Sequence, residues 1–309
     1  MTQPAPTTPV CYRHPSRETY VRCVRCDRPI CPDCMRDASV GHQCPECVAE
    51  GRRTQRPART AFGGTRAGIQ GYVTKTLIGL NVAMMLIAVV AAGGRGLAGG
   101  GFGGLGGSST PLHFWGALVP QPTDFIEVDG GPVVASVGGV SGGEYYRLLT
   151  SMFLHYGILH LLLNMWALWV LGRNLEAALG PVRYAALYLL SGLGGSVAVY
   201  YFGSQHGLTA GASGAIFGLF GGFFVVLRRL GRDTSAIIPI LVINLVFTFT
   251  VPGISMAGHL GGLAAGAIVA AGLAYAPQKN RNAVQTAVCV GFAVLLIVLT
   301  LARTAATPT

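Results

Sequence analysis

Seven apolar segments of membrane-spanning length constrain the fold more than any other feature of this chain. A membrane span needs about 20 apolar residues. The candidate segments are 73–92, 156–173, 184–203, 211–227, 236–251, 257–275 and 284–302. Only 11% of the 309 residues are charged, whereas soluble domains carry about 25%. The sequence therefore predicts an all-α polytopic membrane protein and excludes a disordered chain or an ordinary soluble enzyme.

The basic residues predict how these segments are oriented. Lys and Arg accumulate in cytoplasmic loops, so we compare the two sides for a cytoplasmic N-terminus. The inner side then carries Arg52, Arg53, Arg56, Arg59, Arg66, Lys75, Arg173, Arg183, Arg228, Arg229, Arg232, Lys279 and Arg281, and the outer side carries Arg95, Arg147 and Arg303. This asymmetry predicts a cytoplasmic N-terminus, and the near absence of lysine suggests a bacterial plasma membrane.

Seven of the eight cysteines lie within residues 11–47, and together with one histidine they form four closely spaced pairs. The pairs are Cys11 with His14, Cys23 with Cys26, Cys31 with Cys34, and Cys44 with Cys47. Eight such ligands suit two tetrahedral zinc ions. Pairs one and three would share one ion, and pairs two and four the other, because Cys26 and Cys31 are too close for separate modules. His42 is an alternative ligand to Cys44.

A disulfide framework is the alternative interpretation, but it requires export, and we expect none because no signal peptide precedes these residues. The spacing resembles that of B-box zinc fingers, which implies a module for protein contacts. Six arginines balance six acidic residues within positions 1–50, whereas phosphate contacts need a basic surface. We therefore expect a cytoplasmic protein partner and no nucleic acid.

The predicted organisation has four parts. Residues 1–50 form the zinc-binding domain, 51–71 a basic flexible linker, 72–303 the membrane domain and 304–309 a tail. The interval 93–155 begins with a glycine-rich stretch and is interpreted as an interfacial loop.

Polar residues at membrane depth are candidates for a functional site, because burying them in lipid is costly. His155, His160 and Asn164 lie on or beside the second segment, Ser213 opens the fourth, and His259 lies near the start of the sixth. These three segments run in the same direction, so Ser213 and His259 lie at similar depth.

Glycines recur every four residues in the fourth and sixth segments. They are Gly214, Gly218 and Gly222 in one, and Gly258, Gly262 and Gly266 in the other. Small residues at this spacing allow close helix packing in membranes. Ser213 and His259 could then meet as nucleophile and general base, with donors from His160, Asn164 and the Ser213 backbone N–H facing a developing oxyanion.

Four motifs, read in order from Trp115 to Gly266, resemble the rhomboid intramembrane serine proteases. They are Glu144-Tyr-Tyr-Arg147-Leu-Leu-Thr-Ser-Met-Phe-Leu-His155, His155-x4-His160-x3-Asn164, Gly211-Ala-Ser213-Gly214 and Gly258-His259-Leu-Gly-Gly262. The resemblance implies a six-helix rhomboid core with one additional C-terminal helix. It also implies a Ser213–His259 dyad without an acid, an oxyanion site at His160 and Asn164, an aromatic contact from Phe217 to the histidine, and a family-like turn at Gly172-x3-Glu176.

The implied activity is cleavage of peptide bonds in or near transmembrane segments of proteins in the lipid bilayer, at a site open to the outer face. Zinc would be structural and not required for catalysis. Two alternatives are a non-catalytic membrane chaperone and a transporter of the same fold. A transporter would use its histidines as titrating groups and would not need Ser213.

Overall fold

The computed structural model describes residues 8–55, 58–93, 109–128 and 131–307. The chain divides into one compact unit that ends at Ala58 and a second that begins at Arg59. Arg56, Arg95, most of the glycine-rich stretch (94–108) and the end of the tail lie outside the described residues.

The first unit is small and built around its cysteines. Strands β1 (Arg36–Asp37) and β2 (His42–Gln43) pair in antiparallel fashion and precede helix α1 (Pro45–Thr54). The Cys44 side chain caps α1 by accepting a hydrogen bond from the Cys47 backbone N–H. Its buried cluster consists of Ile30 and six cysteines, an apolar core too small to stabilise a domain of this size alone.

The second unit is mainly helical. Its described helices are α2 (Tyr72–Ala91), α3 (Pro111–Gly116), α4 (Arg147–Thr150), α5 (Gly157–Leu179), α6 (Pro181–Phe202), α7 (Ser213–Arg229), α8 (Ile237–Thr250), α9 (Met256–Ala274) and α10 (Arg281–Ala306). Helices α2 and α5–α10 coincide with the seven predicted segments. Five of them, namely α2, α5, α6, α9 and α10, are long and apolar enough to cross a membrane, so the chain is an integral membrane protein.

The segment between α2 and α5 contains more structure than the interfacial loop that the sequence predicts. Strands β3 (Thr123–Val128) and β4 (Gly131–Val137) form an antiparallel hairpin in which Thr123 faces Val137. The hairpin is a small local addition to a fold that is mainly helical, as the sequence predicts. Its β-branched residues, which are Thr123, Ile126, Val128, Val133, Val134 and Val137, favour strands. This signal is weak in so short and glycine-rich a segment.

A buried arginine holds this segment together. Arg147 is 2% exposed, and it donates hydrogen bonds to the Glu144 carboxylate at 2.6 Å and to the Ala117 carbonyl oxygen at 2.8 Å. A buried charge is tolerated only when it is paired and hydrogen-bonded. Arg147 therefore ties the start of α4 to the chain that follows α3.

The centre of the helical unit is formed by α6, α7 and α9, whose backbones touch at glycines. A Cβ atom at Gly262 on α9 would overlap the carbonyl oxygen of Gly214 on α7, and one at Gly266 would overlap that of Gly218. The predicted glycine spacing thus produces the close approach of α7 and α9 that small residues permit.

Residues 59–71 differ from the flexible linker that the sequence predicts, since they fold against the helical unit. Phe62 is 4% exposed and belongs to the main core. Gly64 and Gly68 lie directly against the backbone carbonyls of Leu179 and Glu176. Glycines in a sequence are typical of a flexible linker, but here the absence of a side chain permits close backbone contact.

A buried carboxylate joins the end of α5 to the start of α2. Glu176 is fully buried and accepts hydrogen bonds from the backbone N–H groups of Val73 and Thr74, both at 2.9 Å, and from the Thr74 hydroxyl at 2.8 Å. The first N–H groups of a helix lack partners within the helix, and a negative charge is favourable there. Glu176 therefore caps α2.

The seventh long helix, α10, is bound to the core along its length. Near its start, Gln285 donates to the carbonyl oxygens of Phe62 and Leu273 and accepts from Arg183 at 2.6 Å. Near its end, the hydroxyls of Thr304 and Tyr200 lie 3.0 Å apart. The helix is therefore an integral part of this unit.

Candidate functional site

Ser213 and His259 meet at the ends of two helices. Ser213 begins α7, and His259 lies in the first turn of α9. The Oγ atom of Ser213 lies 2.8 Å from Nε2 of His259, and the His259 residue is 8% exposed. Phe217, one turn after Ser213, stacks on the imidazole with ring centroids 4.0 Å apart. The serine and histidine therefore share a hydrogen bond in a buried, apolar setting.

The other nitrogen of His259 also has a partner, one that the sequence does not predict. Nδ1 lies 2.7 Å from the hydroxyl of Thr248, which is 2% exposed and belongs to α8. The only sequence signal is the presence of two threonines, Thr248 and Thr250, in an apolar helix. That signal is weak, because such hydroxyls commonly bond to their own helix, as exposed Thr250 does to Val246.

His160 and Ser213 border the space left by the missing side chain of Gly211. A Cβ atom at Gly211 would lie 3.0 Å from Nε2 of His160 and 3.4 Å from Oγ of Ser213. Nδ1 of His160 accepts a hydrogen bond from the Tyr156 backbone N–H at 3.3 Å. The His160 proton is therefore on Nε2, where it can be donated into this space. The backbone φ angle of Gly211 is +140°, which is in the range that favours glycine.

Asn164 lies one turn from His160 and is 7% exposed. Its amide donates a hydrogen bond to the His160 carbonyl oxygen at 2.8 Å. The Asn164 amide N–H group is thus engaged with its own helix, while the three atoms nearest a Cβ position at Gly211 belong to His160 and Ser213.

His155 supports the backbone before Ser213. It is 1% exposed, and its Nε2 accepts from the Ala212 backbone N–H at 3.5 Å. Burial, together with the neighbouring His160 and His113, holds the pKa of His155 well below its ordinary value. His155 is therefore neutral at pH 7, which suits a supporting role beside the Ser213 loop.

Comparison with known proteins identifies the family. The Rhomboid domain model matches residues 142–276, a range that includes both Ser213 and His259. The rhomboid protein YdcA of Bacillus subtilis (strain 168) is 39% identical over 133 residues, which cover 41% of this chain and 67% of YdcA. The chain belongs to the rhomboid family.

Two further relatives show how much of each rhomboid chain is shared. Rhomboid protease GluP of Bacillus subtilis (strain 168) is 42% identical over 142 residues, covering 43% of this chain and 27% of GluP. RHOMBOID-like protein 5 of Arabidopsis thaliana is 37% identical over 147 residues, covering 45% of this chain and 47% of that protein. The matched part of this chain thus spans less than half the length of either relative.

The first unit lies outside the rhomboid match and holds two groups of metal-ligating side chains. Cys11, His14, Cys31 and Cys34 form one group, and Cys23, Cys26, Cys44 and Cys47 form the other, with the ligand atoms of each within 4.8 Å of one another. The pairs interleave as predicted, and either group could hold a metal ion. His42 stands apart from both, with Nδ1 3.3 Å from the Asp37 carboxylate.

The electrostatics of the second group fit a bound cation. Burial disfavours the Cys23 thiolate, but hydrogen bonds from the backbone N–H groups of Cys44, Arg25 and Cys26 outweigh burial and lower the pKa of Cys23 to about 6. Burial and the neighbouring thiols raise the pKa of Cys47 to about 12. Four adjacent thiolates repel one another, so a cation is needed to hold all of them deprotonated.

Proposed function

We propose that this rhomboid protein is a serine endopeptidase that cleaves peptide bonds in or near transmembrane segments of membrane proteins. The observation that carries the proposal is the 2.8 Å contact between Ser213 Oγ and His259 Nε2. A serine hydroxyl becomes a nucleophile when an adjacent base can take its proton.

His259 acts as the general base. Its Nε2 takes the hydroxyl proton as Ser213 Oγ attacks the carbonyl carbon of the scissile bond. The imidazolium then donates that proton to the leaving amine, and an acyl-enzyme remains on Ser213. Water, deprotonated by the same imidazole, hydrolyses the ester and regenerates the hydroxyl.

His160 supplies a hydrogen bond to the oxyanion of the tetrahedral intermediate. Its Nε2–H faces the space beside Gly211, within reach of an oxygen on a carbon bonded to Ser213. Donors that are already in place stabilise negative charge more than water does. Asn164 joins this site when its amide turns away from the His160 carbonyl, and the Ser213 backbone N–H at the start of α7 adds a third donor.

The substrates are transmembrane proteins of the same bilayer. A helix hides its carbonyl groups in internal hydrogen bonds, so a substrate must unwind before Ser213 can attack. Single-span proteins with small or helix-destabilising residues near the cut meet this requirement. With the N-terminus in the cytoplasm, Ser213 and His259 lie toward the outer face, from which water enters.

The first unit binds two structural zinc ions through its two interleaved groups. Thiolate and imidazole ligands at close range suit Zn²⁺, and the ions supply stability that the small apolar core lacks. The B-box-like spacing supports a contact module for a cytoplasmic protein. Neither ion takes part in the reaction at Ser213.

The test is cleavage of a single-span reporter in proteoliposomes. We expect the wild type to cut the reporter, Ser213→Ala and His259→Ala to leave it intact, and Ser204→Ala, a change in an exposed loop, to cut normally. Cleavage by folded Ser213→Ala would contradict the proposal. Reporter binding without cleavage, equal in wild type and Ser213→Ala, would favour a membrane chaperone instead.

A further inference from the structure

The Thr248 hydroxyl has two neighbours, and together they fix the direction of both hydrogen bonds. Thr248 Oγ1 lies 2.8 Å from the Asn244 carbonyl oxygen and 2.7 Å from Nδ1 of His259. A carbonyl oxygen only accepts, and a hydroxyl has one proton to donate. Thr248 therefore donates to Asn244 and accepts from His259, so the proton of the neutral imidazole is on Nδ1.

This tautomer is the one that a base at Nε2 requires. With the proton on Nδ1, the lone pair of Nε2 faces the Ser213 hydroxyl at 2.8 Å. With the proton on Nε2, the imidazole could only donate to Ser213 and could not activate it. The hydrogen bond on the far nitrogen of a histidine sets which nitrogen carries the proton.

Thr248 also links the histidine to α8, a helix with few buried residues. Ile237 and Thr248 are the two buried residues of α8. Apolar side chains such as Val242, Val246 and Phe249 are at least half exposed along the rest of the helix. Thr248 is thus the buried residue near the C-terminal end of α8, and its hydroxyl makes the contact with His259.

We propose that Thr248 is a positioning residue, which holds His259 in the Nδ1-protonated form and makes the readiness of the base depend on the position of α8. This inference rests on the proposed function, since it concerns the same serine nucleophile and its histidine base. Displacement of α8 removes the acceptor from Nδ1 and frees the imidazole to rotate or change tautomer.

The test uses three variants of full-length protein and a fluorophosphonate that reacts with activated serines. Thr248→Val keeps the side-chain shape but cannot accept a hydrogen bond, and Thr248→Ser restores the hydroxyl. Thr250→Val is the matched control, because Thr250 makes the same bond to its own helix but is exposed. We expect the labelling rate to fall about tenfold or more in Thr248→Val, and to stay near wild type in the other two.

A second measurement reads the tautomer in the wild-type protein itself. In wild-type protein with ¹⁵N-labelled histidine, assigned by comparison with His259→Ala, the His259 spectrum should show a protonated Nδ1 and an unprotonated Nε2. Thr248→Val should acquire a population protonated on Nε2. A wild-type His259 protonated on Nε2 would overturn the inference, as would wild-type labelling of Thr248→Val.

The outcomes also separate this inference from the proposed function. If wild type and Ser213→Ala label equally, the serine nucleophile fails. If labelling needs Ser213 and His259 but is unchanged in Thr248→Val, the nucleophile stands and the role of Thr248 fails.

Discussion

Gly262 on α9 lies directly against the carbonyl oxygen of Gly214 on α7, with no room for a Cβ atom between them. Gly214 follows Ser213, and Gly262 lies one turn after His259. The contact therefore sets the distance between the two helix ends and brings Ser213 and His259 together across 46 positions of sequence.

Gly262→Ala should destabilise the protein, because the added methyl group would overlap the Gly214 backbone. We expect a loss of about 1–3 kcal/mol, as for other overpacked cores, measured by thermal unfolding in detergent. Gly291→Ala on α10 is the matched control, since a Cβ atom there would have no neighbour within 4 Å. Equal stability of the two variants would mean that α7 and α9 are not in backbone contact.

Gly211→Ala should remove activity while the protein stays folded. The new methyl group would occupy the space between His160 and Ser213, where we propose that the oxyanion forms. We expect fluorophosphonate labelling to fall by about 10²-fold or more, the usual cost of losing an oxyanion donor. Gly253→Ala controls for backbone strain, since Gly253 also has positive φ but has open space around it. Normal labelling of Gly211→Ala would place the oxyanion elsewhere.

The purified protein should contain two zinc ions, counted by native mass spectrometry. Cys23→Ser and Cys44→Ser should each reduce the count to one, because both residues belong to the second group of ligands. His42→Ala should retain two ions. The reverse result, with His42 needed and Cys44 dispensable, would show a different ligand set in solution.

Removing zinc with a chelator should leave the labelling rate of Ser213 unchanged within about twofold, because neither of the two ligand clusters found among the described residues includes Ser213, His259 or His160. A loss of labelling that zinc restores would show that the first unit controls the rhomboid core.

The sequence predicts most of the helices, because membrane spans leave a strong and local signal. All seven apolar segments coincide with α-helices, and the interleaved cysteine pairs also follow from spacing alone. The proximity of Ser213 and His259 is also predictable, because glycines at four-residue intervals occur on both of their helices.

Other features depend on contacts distant in sequence and leave little local signal. The folding of residues 59–71 depends on the C-terminal end of α5, more than 100 positions away, and glycine there is equally typical of a flexible linker. The direction of the Asn164 amide, by contrast, is set within α5 by a hydrogen bond to the His160 carbonyl oxygen. The role of Thr248 depends on which face of α8 meets His259, which the almost uniformly apolar sequence of that helix does not reveal.

The central claim is that His259 activates Ser213, and covalent modification by a fluorophosphonate tests it most directly. Mass spectrometry of the intact protein counts the adducts, and mass spectrometry of its peptides locates them. We expect one adduct per chain, located on Ser213, and none in His259→Ala protein that unfolds at the wild-type temperature. An adduct on another serine, or equal modification of Ser213 when His259 is absent, would contradict a serine activated by this histidine.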